Sequence, residues 1–501
     1  MLLVFAGWIT GQIGASPAGT DPAHSVALDP VPSASTSYFA DVAVDPKERI
    51  VTGDMKVRFV PRDDHVFFHL YPNIYRDPAF TSGKQWERML GTQREPGGIE
   101  IADVRVEGVP VPVQLQGEGR TVLQVPLPTP KAAAIEVEMR FRINVPYNKG
   151  RISYHDHAMW LGNWLPILAV QDKDGWRLDP YSAIGDPFYS QMADYHLRVQ
   201  LPASYRLATS GVESVAVVTE TRPKRNTIYE IEAKNVRDFA LVAMDDTYQP
   251  TAQKLGDILV TTWSQAGDDP AAVTRVHETA VEALRYYSEQ FGAYPYKEYD
   301  VVKTGGLFGG MEYPGIVFIQ DQLWEKADAM TEAVVAHETA HQWFYGLVGN
   351  DQIREAWVDE SLADYATMAF LQQSGKDPGN TYLNMRLLQS RDAVRYAGQN
   401  LRVWQSLTQF PDWDSYVKLV YARGGAMLWQ AREAWGEQRL HHHLRQYVSE
   451  HQYKEADGQD VAAMLSRAAG ADPAPFLDYW LYLKLDRAES AKEWLENSKS
   501  E

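Results

Sequence analysis

Alternation of apolar and polar residues dominates the chain from about residue 37 to residue 260. Segments 55–59, 135–143 and 195–201 place an apolar side chain at every second position. A two-residue period is typical of half-buried antiparallel strands, and clusters of Pro and Gly between such segments favour turns. We therefore predict an all-β N-terminal domain over residues 37–260.

The period of the pattern changes after residue 264. Apolar residues recur at helical spacing behind Asp269 and Pro270, which suit the cap and the first position of a helix, and Gly292 suits its end. From residue 330 onward, helical spacing predominates. This part of the chain is therefore predicted to be mainly helical.

Two short apolar runs, 299–302 and 316–319, interrupt the helical pattern and predict strands. Strands followed by helices favour an α+β arrangement. We predict a second domain of this kind over residues 261–486, with a polar tail over residues 487–501.

Composition narrows the class of protein. At 501 residues the chain is long enough for two or three domains, and 45% hydrophobic with 23% charged residues is ordinary for a soluble globular protein. A net charge of -18 argues against nucleic acid and anionic lipid surfaces as partners. Because the chain has no cysteine, disulfides and cysteine-ligated zinc are excluded.

The first 36 residues allow two interpretations. Residues 1–9 are apolar like the core of an export signal, but no Lys or Arg precedes Lys47. The run is too short to span a bilayer, and residues 15–36 have the composition of a flexible tether. They are predicted to be either the remnant of an export signal or membrane anchor, which favours an exported or cell-surface protein, or a disordered tail.

The strongest chemical signal is the sequence H-E-T-A-H, in which His337 and His341 are four residues apart. On a helix this spacing places both imidazoles on one face, where they can share a zinc ion. Glu338 then lies beside the metal and can accept a proton from a bound water. The helix is expected to end near Gly346. So short a motif also arises by chance, so its context decides its meaning.

Eighteen residues separate His341 from Glu360. A second helix, predicted from about residue 359 to residue 373, places Glu360 in its first turn. From there it can complete a site of two histidines and one glutamate, with a fourth position left for water. Asp364 follows one turn later and is a candidate to accept the free N–H of a ligand histidine; an ordinary solvated carboxylate is the alternative.

Two flanking segments make the pattern specific. G-G-M-E-Y at residues 309–313 resembles the G-A-M-E-N motif, and Tyr421 in V-Y-A-R-G-G-A resembles the tyrosine of the Y-E-K-G-A segment, both of the gluzincin zinc aminopeptidases. That is peptidase family M1, which includes aminopeptidase N and leukotriene hydrolase. The resemblance implies an antiparallel, saddle-like β domain followed by a thermolysin-like catalytic domain that holds one Zn²⁺ per chain.

The resemblance also implies roles at the substrate end of the site. Glu312 would pair with the free α-ammonium group of a peptide and so select cleavage at its N-terminus. Gly309, Gly310 and Met311 would line the path of the substrate. Gly310 and Tyr313 replace the alanine and asparagine of the family motif, which leaves the shape of this pocket open.

Two further roles follow from the resemblance. Tyr421 would donate its hydroxyl to the oxyanion that forms during hydrolysis. A Gln or Glu of the first domain would help to hold the amine, and Gln171 is the candidate for it. The turn at Gly185-Asp186-Pro187 stands where the family often has a turn like Asp-Glu-Pro.

The sequence therefore predicts a zinc metallo-aminopeptidase that hydrolyses the N-terminal residue from peptides through a metal-activated water. A thermolysin-type endopeptidase, in which Glu312 has no role, is one alternative. An inactive, zinc-stabilised binding protein is another, although Glu338 and all three ligands are present. His155, His157 and residues 441–443 are predicted to be polar surface positions rather than ligands.

Overall fold

A computed structural model of the chain describes residues 31–128, 133–219, 225–326 and 328–498. The two interpretations of the first 36 residues concern mainly residues 1–30, which lie outside the described residues. Within the described ranges, no helix has both the length and the apolar character that crossing a bilayer requires.

Residues 37–245 form a region rich in β structure, here called the β region. Its strands are β1 (Ser37–Asp45), β2 (Ile50–Phe59), β3 (His65–His69), β4 (Gly98–Val106), β5 (Val109–Pro110), β6 (Gln114–Gln116), β7 (Val122–Pro126), β8 (Ile135–Asn144), β9 (Ile152–His155), β10 (Ala158–Leu161), β11 (Ile167–Leu168), β12 (Gln171–Asp172), β13 (Gly175–Trp176), β14 (Ala193–Pro202), β15 (Tyr205–Thr209), β16 (Val212–Thr219), β17 (Asn226–Val236) and β18 (Leu241–Asp245). One helix, α1 (Lys84–Leu90), interrupts them.

The largest sheet of this region has eight strands in the order β16-β17-β14-β1-β2-β8-β4-β5. Its neighbours are antiparallel except β1 and β14, which are parallel. Alternate residues of β2 and β8 are buried, so that Val57 and Val137 face the core while their sequence neighbours face solvent. The predicted β-rich first domain is confirmed, with the one parallel pair as a difference.

Residues 248–498 form a second region, here called the catalytic region because it contains the predicted metal motif. Its strands are β19 (Tyr248–Leu255), β20 (Ile258–Gln265), β21 (Glu298–Thr304), β22 (Gly310–Met311), β23 (Ile316–Gln320), β24 (Val348–Gly349) and β25 (Lys454–Glu455). Its helices are α2 (Pro270–Phe291), α3 (Asp321–Lys326), α4 (Ala329–Ala340), α5 (Trp357–Ser374), α6 (Thr381–Asp392), α7 (Trp413–Tyr416), α8 (Gly424–Trp435), α9 (Glu437–His451), α10 (Gly458–Ala469), α11 (Ala474–Trp480) and α12 (Ala488–Asn497).

Local signals set the ends of the two long helices as predicted. The side chain of Asp269 accepts the Ala271 amide at the start of α2, and Gly292 follows its last residue with φ 120°. Gly375 ends α5 in the left-handed conformation, with φ 69°. Glycine adopts both conformations without the steric cost that a Cβ would bring.

The structure differs from the predicted boundaries in two places. Strands β19 and β20 pair in one five-stranded sheet with β21, β23 and β22, so this sheet begins at Tyr248, before residue 260. Residues 488–497 form α12 instead of a polar tail. Its residues Ala491 and Trp494 are buried, and the Trp494 ring stacks on Phe476. Burial of this apolar helix face against the catalytic region explains the difference.

The two regions meet across a cluster of buried apolar side chains. Trp160 and Val242 from the β region pack here with Met311, Tyr313 and Phe318 from the catalytic region. Two of these residues, Met311 and Tyr313, belong to the G-G-M-E-Y segment. The substrate motif predicted from the sequence therefore lies at the boundary between the two regions.

Candidate active site

Helix α4 carries His337, and His341 follows as the residue that caps its C-terminus. Asp328 caps its first backbone amides, and the helix ends at Ala340, earlier than expected. Beyond it the Gly346 amide bonds to the His341 carbonyl five residues back, at 2.8 Å. This wider turn brings the Phe344 carbonyl to Nδ1 of His341, also at 2.8 Å. Because a carbonyl only accepts, Nδ1 carries a proton, which leaves Nε2 of His341 as the ring atom that can bind a metal.

The three predicted zinc ligands converge. The Nε2 atoms of His337 and His341 are 3.0 Å apart, and Oε2 of Glu360 lies 3.1 Å from the first and 3.3 Å from the second. Donors of a tetrahedral zinc site with bonds of about 2.0–2.1 Å stand about 3.3 Å apart. All three residues are buried. The triangle thus has the size and the donor types that a zinc ion requires.

Tyr421 completes the surroundings of Glu360. Its hydroxyl donates to Oε1 of Glu360 at 2.6 Å, and its ring stacks on His337 with centroids 5.5 Å apart. Tyr421 lies in a π-helical turn over Val417–Arg423, a wider turn that is common at functional sites. Burial alone would raise the pKa of Glu360, but the two histidines hold this pKa below its usual range. Glu360 is therefore ionised, with Oε1 directed to Tyr421 and Oε2 directed to the two histidines.

Asp364 does not make the predicted bond. Within the described residues, the structure shows no hydrogen bond between Asp364 and either ligand histidine, and Nδ1 of His337 has no partner. Instead Oδ1 of Asp364 accepts from the Tyr382 hydroxyl at 2.6 Å and forms an ion pair with Nη2 of Arg386 at 2.8 Å. Helix α6 brings this guanidinium to the carboxylate, and attraction to a full positive charge exceeds that to a neutral imidazole.

Glu338, the predicted proton acceptor, lines the cleft beside Gly310. A Cβ added to Gly310 would lie 2.2 Å from Oε1 of Glu338. An alanine at this position would therefore require the Glu338 side chain to shift. Burial, together with the charge of Glu312, raises the pKa of Glu338 well above its usual range. A divalent cation bound beside it would act in the opposite direction.

Glu312 lies at the buried end of the cleft. Its Oε1 accepts a hydrogen bond from Nε2 of Gln352 at 3.0 Å. Burial and, after it, the carboxylate of Asp186 raise the pKa of Glu312 to about 8. A carboxyl group in this state gains from any cation placed beside it, because the cation favours the ionised form.

The β region contributes Asp186 to the cleft, and Gln171 does not line it. Gln171 belongs to β12, which pairs with β13 away from the cleft. Asp186 forms a buried ion pair with Arg151, whose Nε also donates to the sulfur of Met311 at 3.1 Å. From the sequence, Gly185-Asp186-Pro187 was interpreted only as a turn. The one signal that could have identified Asp186 as a residue of the site is its negative charge within that turn.

The cleft has a volume of about 360 Å³ and a mixed lining. Acidic groups and ligand atoms form part of this lining, and Arg88, Arg151 and Arg386 add cationic groups. Its apolar residues are Leu307, Phe308, Met330, Val334 and Trp413. Gly309 lies in the loop before β22 with φ 79°, which a glycine adopts readily.

The other histidines among the described residues do not line the cleft. His155 and His157 are exposed at the turn between β9 and β10, where Nδ1 of His157 bonds to Asp245 at 2.8 Å. His441 was expected at the surface but is buried, and its Nε2 lies 2.8 Å from the Tyr365 hydroxyl. Packing of α9 against the catalytic core explains that burial.

Comparison with known proteins agrees with this geometry. Residues 276–480 match the Peptidase family M1 domain. Aminopeptidase N of Lactococcus lactis subsp. lactis is 28% identical over 221 residues, which are 41% of this chain and 26% of that protein. Aminopeptidase N of Streptomyces lividans is 24% identical over 221 residues, which are 41% of this chain and 25% of that protein. The matched part thus spans about a quarter of the length of these relatives.

The M1 zinc metallopeptidase of Deinococcus radiodurans shares the fold. The two structures superpose with a TM-score of 0.60 at 16% identity, over 93% of this chain and 96% of that one. The β-rich first region and the helical second region are thus also the architecture of that protein. Similarity over residues 276–480 and the shared fold support peptidase family M1 as the family that this chain resembles.

Proposed function

We propose that this protein is a zinc-dependent aminopeptidase that removes the N-terminal residue from peptides. The observation that carries the proposal is a single buried cleft that joins the donor atoms of His337, His341 and Glu360 to the carboxylate of Glu312. The name aminopeptidase N borne by its relatives supports the same activity.

The residues present divide the work of hydrolysis among them. His337, His341 and Glu360 would hold one zinc ion, which when bound supplies polarisation of the scissile carbonyl and acidifies water. Glu338 accepts the proton of the attacking water and delivers it to the leaving amine. Its place in the cleft beside the ligand cluster suits a group that carries a proton between these two steps.

Tyr421 supplies the oxyanion donor. In the resting cleft its hydroxyl donates to Oε1 of Glu360. Its ring lies against His337, so the hydroxyl is next to the ligand cluster. When a tetrahedral oxyanion develops there, the hydroxyl donates to this stronger acceptor instead.

Glu312 and Asp186 hold the substrate amine. Both carboxylates are buried in the cleft, and each raises the pKa of acidic groups around it. An α-ammonium group relieves that repulsion, whereas a neutral acetylated amine does not. The apolar residues of the cleft lining receive the first side chain of the peptide.

A panel of aminoacyl amides tests the proposal. The zinc-loaded protein should cleave free aminoacyl amides at least about 100-fold faster than their N-acetylated forms, because the second set lacks the ammonium partner of Glu312. A chelator should abolish both reactions. Equal cleavage of free and acetylated substrates would favour the thermolysin-type endopeptidase, and no cleavage of either would favour a binding protein.

A further inference from the structure

Gln352 bridges two buried carboxylates at the amine end of the cleft. Its Nε2 donates to Oε1 of Glu312 at 3.0 Å and to Oδ2 of Asp359 at 2.8 Å. All three side chains are buried. A side-chain amide has two N–H donors, so each carboxylate receives one of them.

The bridge has a fixed anchor on one side. Asp359 stands in the first turn of α5, next to Glu360, and its other oxygen accepts from Nδ2 of Asn350 at 3.1 Å. The loop that carries Gln352 is held by Asp351, whose Oδ1 accepts the amides of the next residues, 353 and 354, at 3.1 Å each. Gln352 is therefore set in place by the same helix that presents the third zinc ligand.

Glu312, on the other side of the bridge, lies between the buried residues Met311 and Tyr313, whose packing restrains its backbone but not its carboxylate. It follows the two-residue strand β22 and a glycine-containing loop. Among the described residues, Gln352 is the hydrogen-bond partner of its carboxylate. Because a glutamate side chain has three rotatable bonds, losing this partner would let the carboxylate leave the position at which an amine can meet it.

We infer that Gln352 is a positioning residue, which fixes the carboxylate of Glu312 at a set distance from the ligand cluster. The α-ammonium group of a peptide can then pair with this carboxylate while the first peptide bond lies at the ligand cluster. This inference rests on the proposed aminopeptidase function, since it concerns the group that selects a free N-terminus. Gln352 itself need not contact the substrate.

Two inhibitors isolate the contribution of the amine. Leucine hydroxamate and its analogue without the amino group, 4-methylpentanoyl hydroxamate, both chelate zinc, and only the first carries an α-ammonium group. The ratio of their dissociation constants, measured by calorimetry on the zinc-loaded protein, reports the amine contact alone. Q352L and Q352E should each reduce this ratio by about tenfold or more while the analogue binds as it does to the unchanged protein.

A double variant and a matched control complete the test. In the E312Q background, Q352L should have no further effect on the ratio, because the carboxylate that it positions is gone. Gln405 is also buried in the catalytic region but does not line the cleft, so Q405L should leave the ratio unchanged.

The outcomes separate this inference from the function on which it rests. If E312Q lowers the ratio but Q352L and Q352E preserve it, Gln352 does not position Glu312, and the aminopeptidase proposal stands. If the unchanged protein binds both hydroxamates equally, both proposals fail together. If Q352L does not fold, the ratio measured for Q352E decides between these outcomes. Unchanged binding of the analogue without the amino group shows that the zinc site of this variant is intact.

Discussion

The two ends of the cleft are built in different ways. The metal end takes its ligands from two helices of one region, at fixed spacings along about two dozen residues. The amine end is assembled from Glu312 directly after β22, a turn of the β region that carries Asp186, and Gln352 from a third segment. Chemistry that needs one rigid geometry thus lies on helices, and recognition of the substrate is distributed over both regions.

This contrast leads to a functional expectation. Changes at the metal end should slow hydrolysis of every substrate alike, because they remove interactions of the reaction itself. Changes at the amine end should affect substrates with a free N-terminus selectively. The ratio of rates for free and N-acetylated aminoacyl amides therefore distinguishes the two classes of variant.

The largest effect is expected from E338Q at the metal end. The amide is nearly isosteric but cannot accept the proton, so turnover should fall by about 1,000-fold or more. The rates for free and for N-acetylated aminoacyl amides should fall by the same factor. Zinc content measured by atomic emission should stay unchanged, because Glu338 is not a ligand in this account. Normal turnover in E338Q would contradict its role as general base.

Y421F should lower kcat by about 100- to 1,000-fold through the loss of one oxyanion donor. KM should change little, since the hydroxyl acts in the transition state. Y416F is a matched control: Tyr416 packs against the Tyr421 ring at 5.6 Å, and its own hydroxyl makes no hydrogen bond within the described residues. A similar loss in both variants would point to packing instead of oxyanion binding.

E312Q should reduce kcat/KM for free aminoacyl amides by about 30- to 100-fold, because the ammonium group loses its charged partner. Rates for acetylated substrates should stay the same or rise. This is the clearest signature of the amine end. An equal loss for both substrates would assign Glu312 to the reaction instead of to recognition.

G310A tests the border between the two ends. Its added Cβ would press on the carboxylate of Glu338, so turnover should fall by about tenfold through misplacement of that group. Although Gly310 belongs to the substrate motif, the variant should behave like a metal-end change, with equal losses for both substrates. A selective loss for free amines would show that the glycine serves the substrate.

The smallest effect on activity is expected from D300N, on β21. Burial raises the pKa of Asp300 to about 8. The folded state therefore holds this proton more tightly than the unfolded chain, and stability falls as pH rises from about 4 to about 8. The asparagine of D300N keeps an oxygen that accepts the hydrogen bond from Trp263. Between about pH 4 and about pH 8, the variant should lose at least about 1 kcal/mol less unfolding free energy than the unchanged protein. Urea unfolding at several pH values measures this difference. An unchanged pH dependence would contradict the raised pKa.

The sequence predicted the β region and the metal end because both follow short-range rules. Strands with one exposed face display the two-residue period directly. Helices α4 and α5 are buried on nearly every face, so their period is weak, and the motif spacing identified them instead. His337, His341 and Glu360 were therefore found from their spacing and from the family resemblance.

The amine end was predicted less well because its contacts join segments distant along the chain. Asp186 lines the same cleft as Glu312 but comes from a different region, and no local sequence pattern indicates that the two lie in one site. The predicted hydrogen bond between Asp364 and a ligand histidine was wrong for the same reason, because Arg386 from α6 pairs with Asp364 instead. The buried face of α12 was missed because it follows predominantly polar residues and carries only a few apolar side chains, among them Ala491 and Trp494.

The most direct test of the account is a calorimetric titration of the metal-free protein with zinc. The account predicts one equivalent of tightly bound zinc for the unchanged chain and for E338Q. It predicts a loss of at least about 100-fold in affinity for E360Q, in which the anionic ligand is replaced by a neutral amide. Zinc binding of undiminished affinity in E360Q would contradict the proposed metal centre.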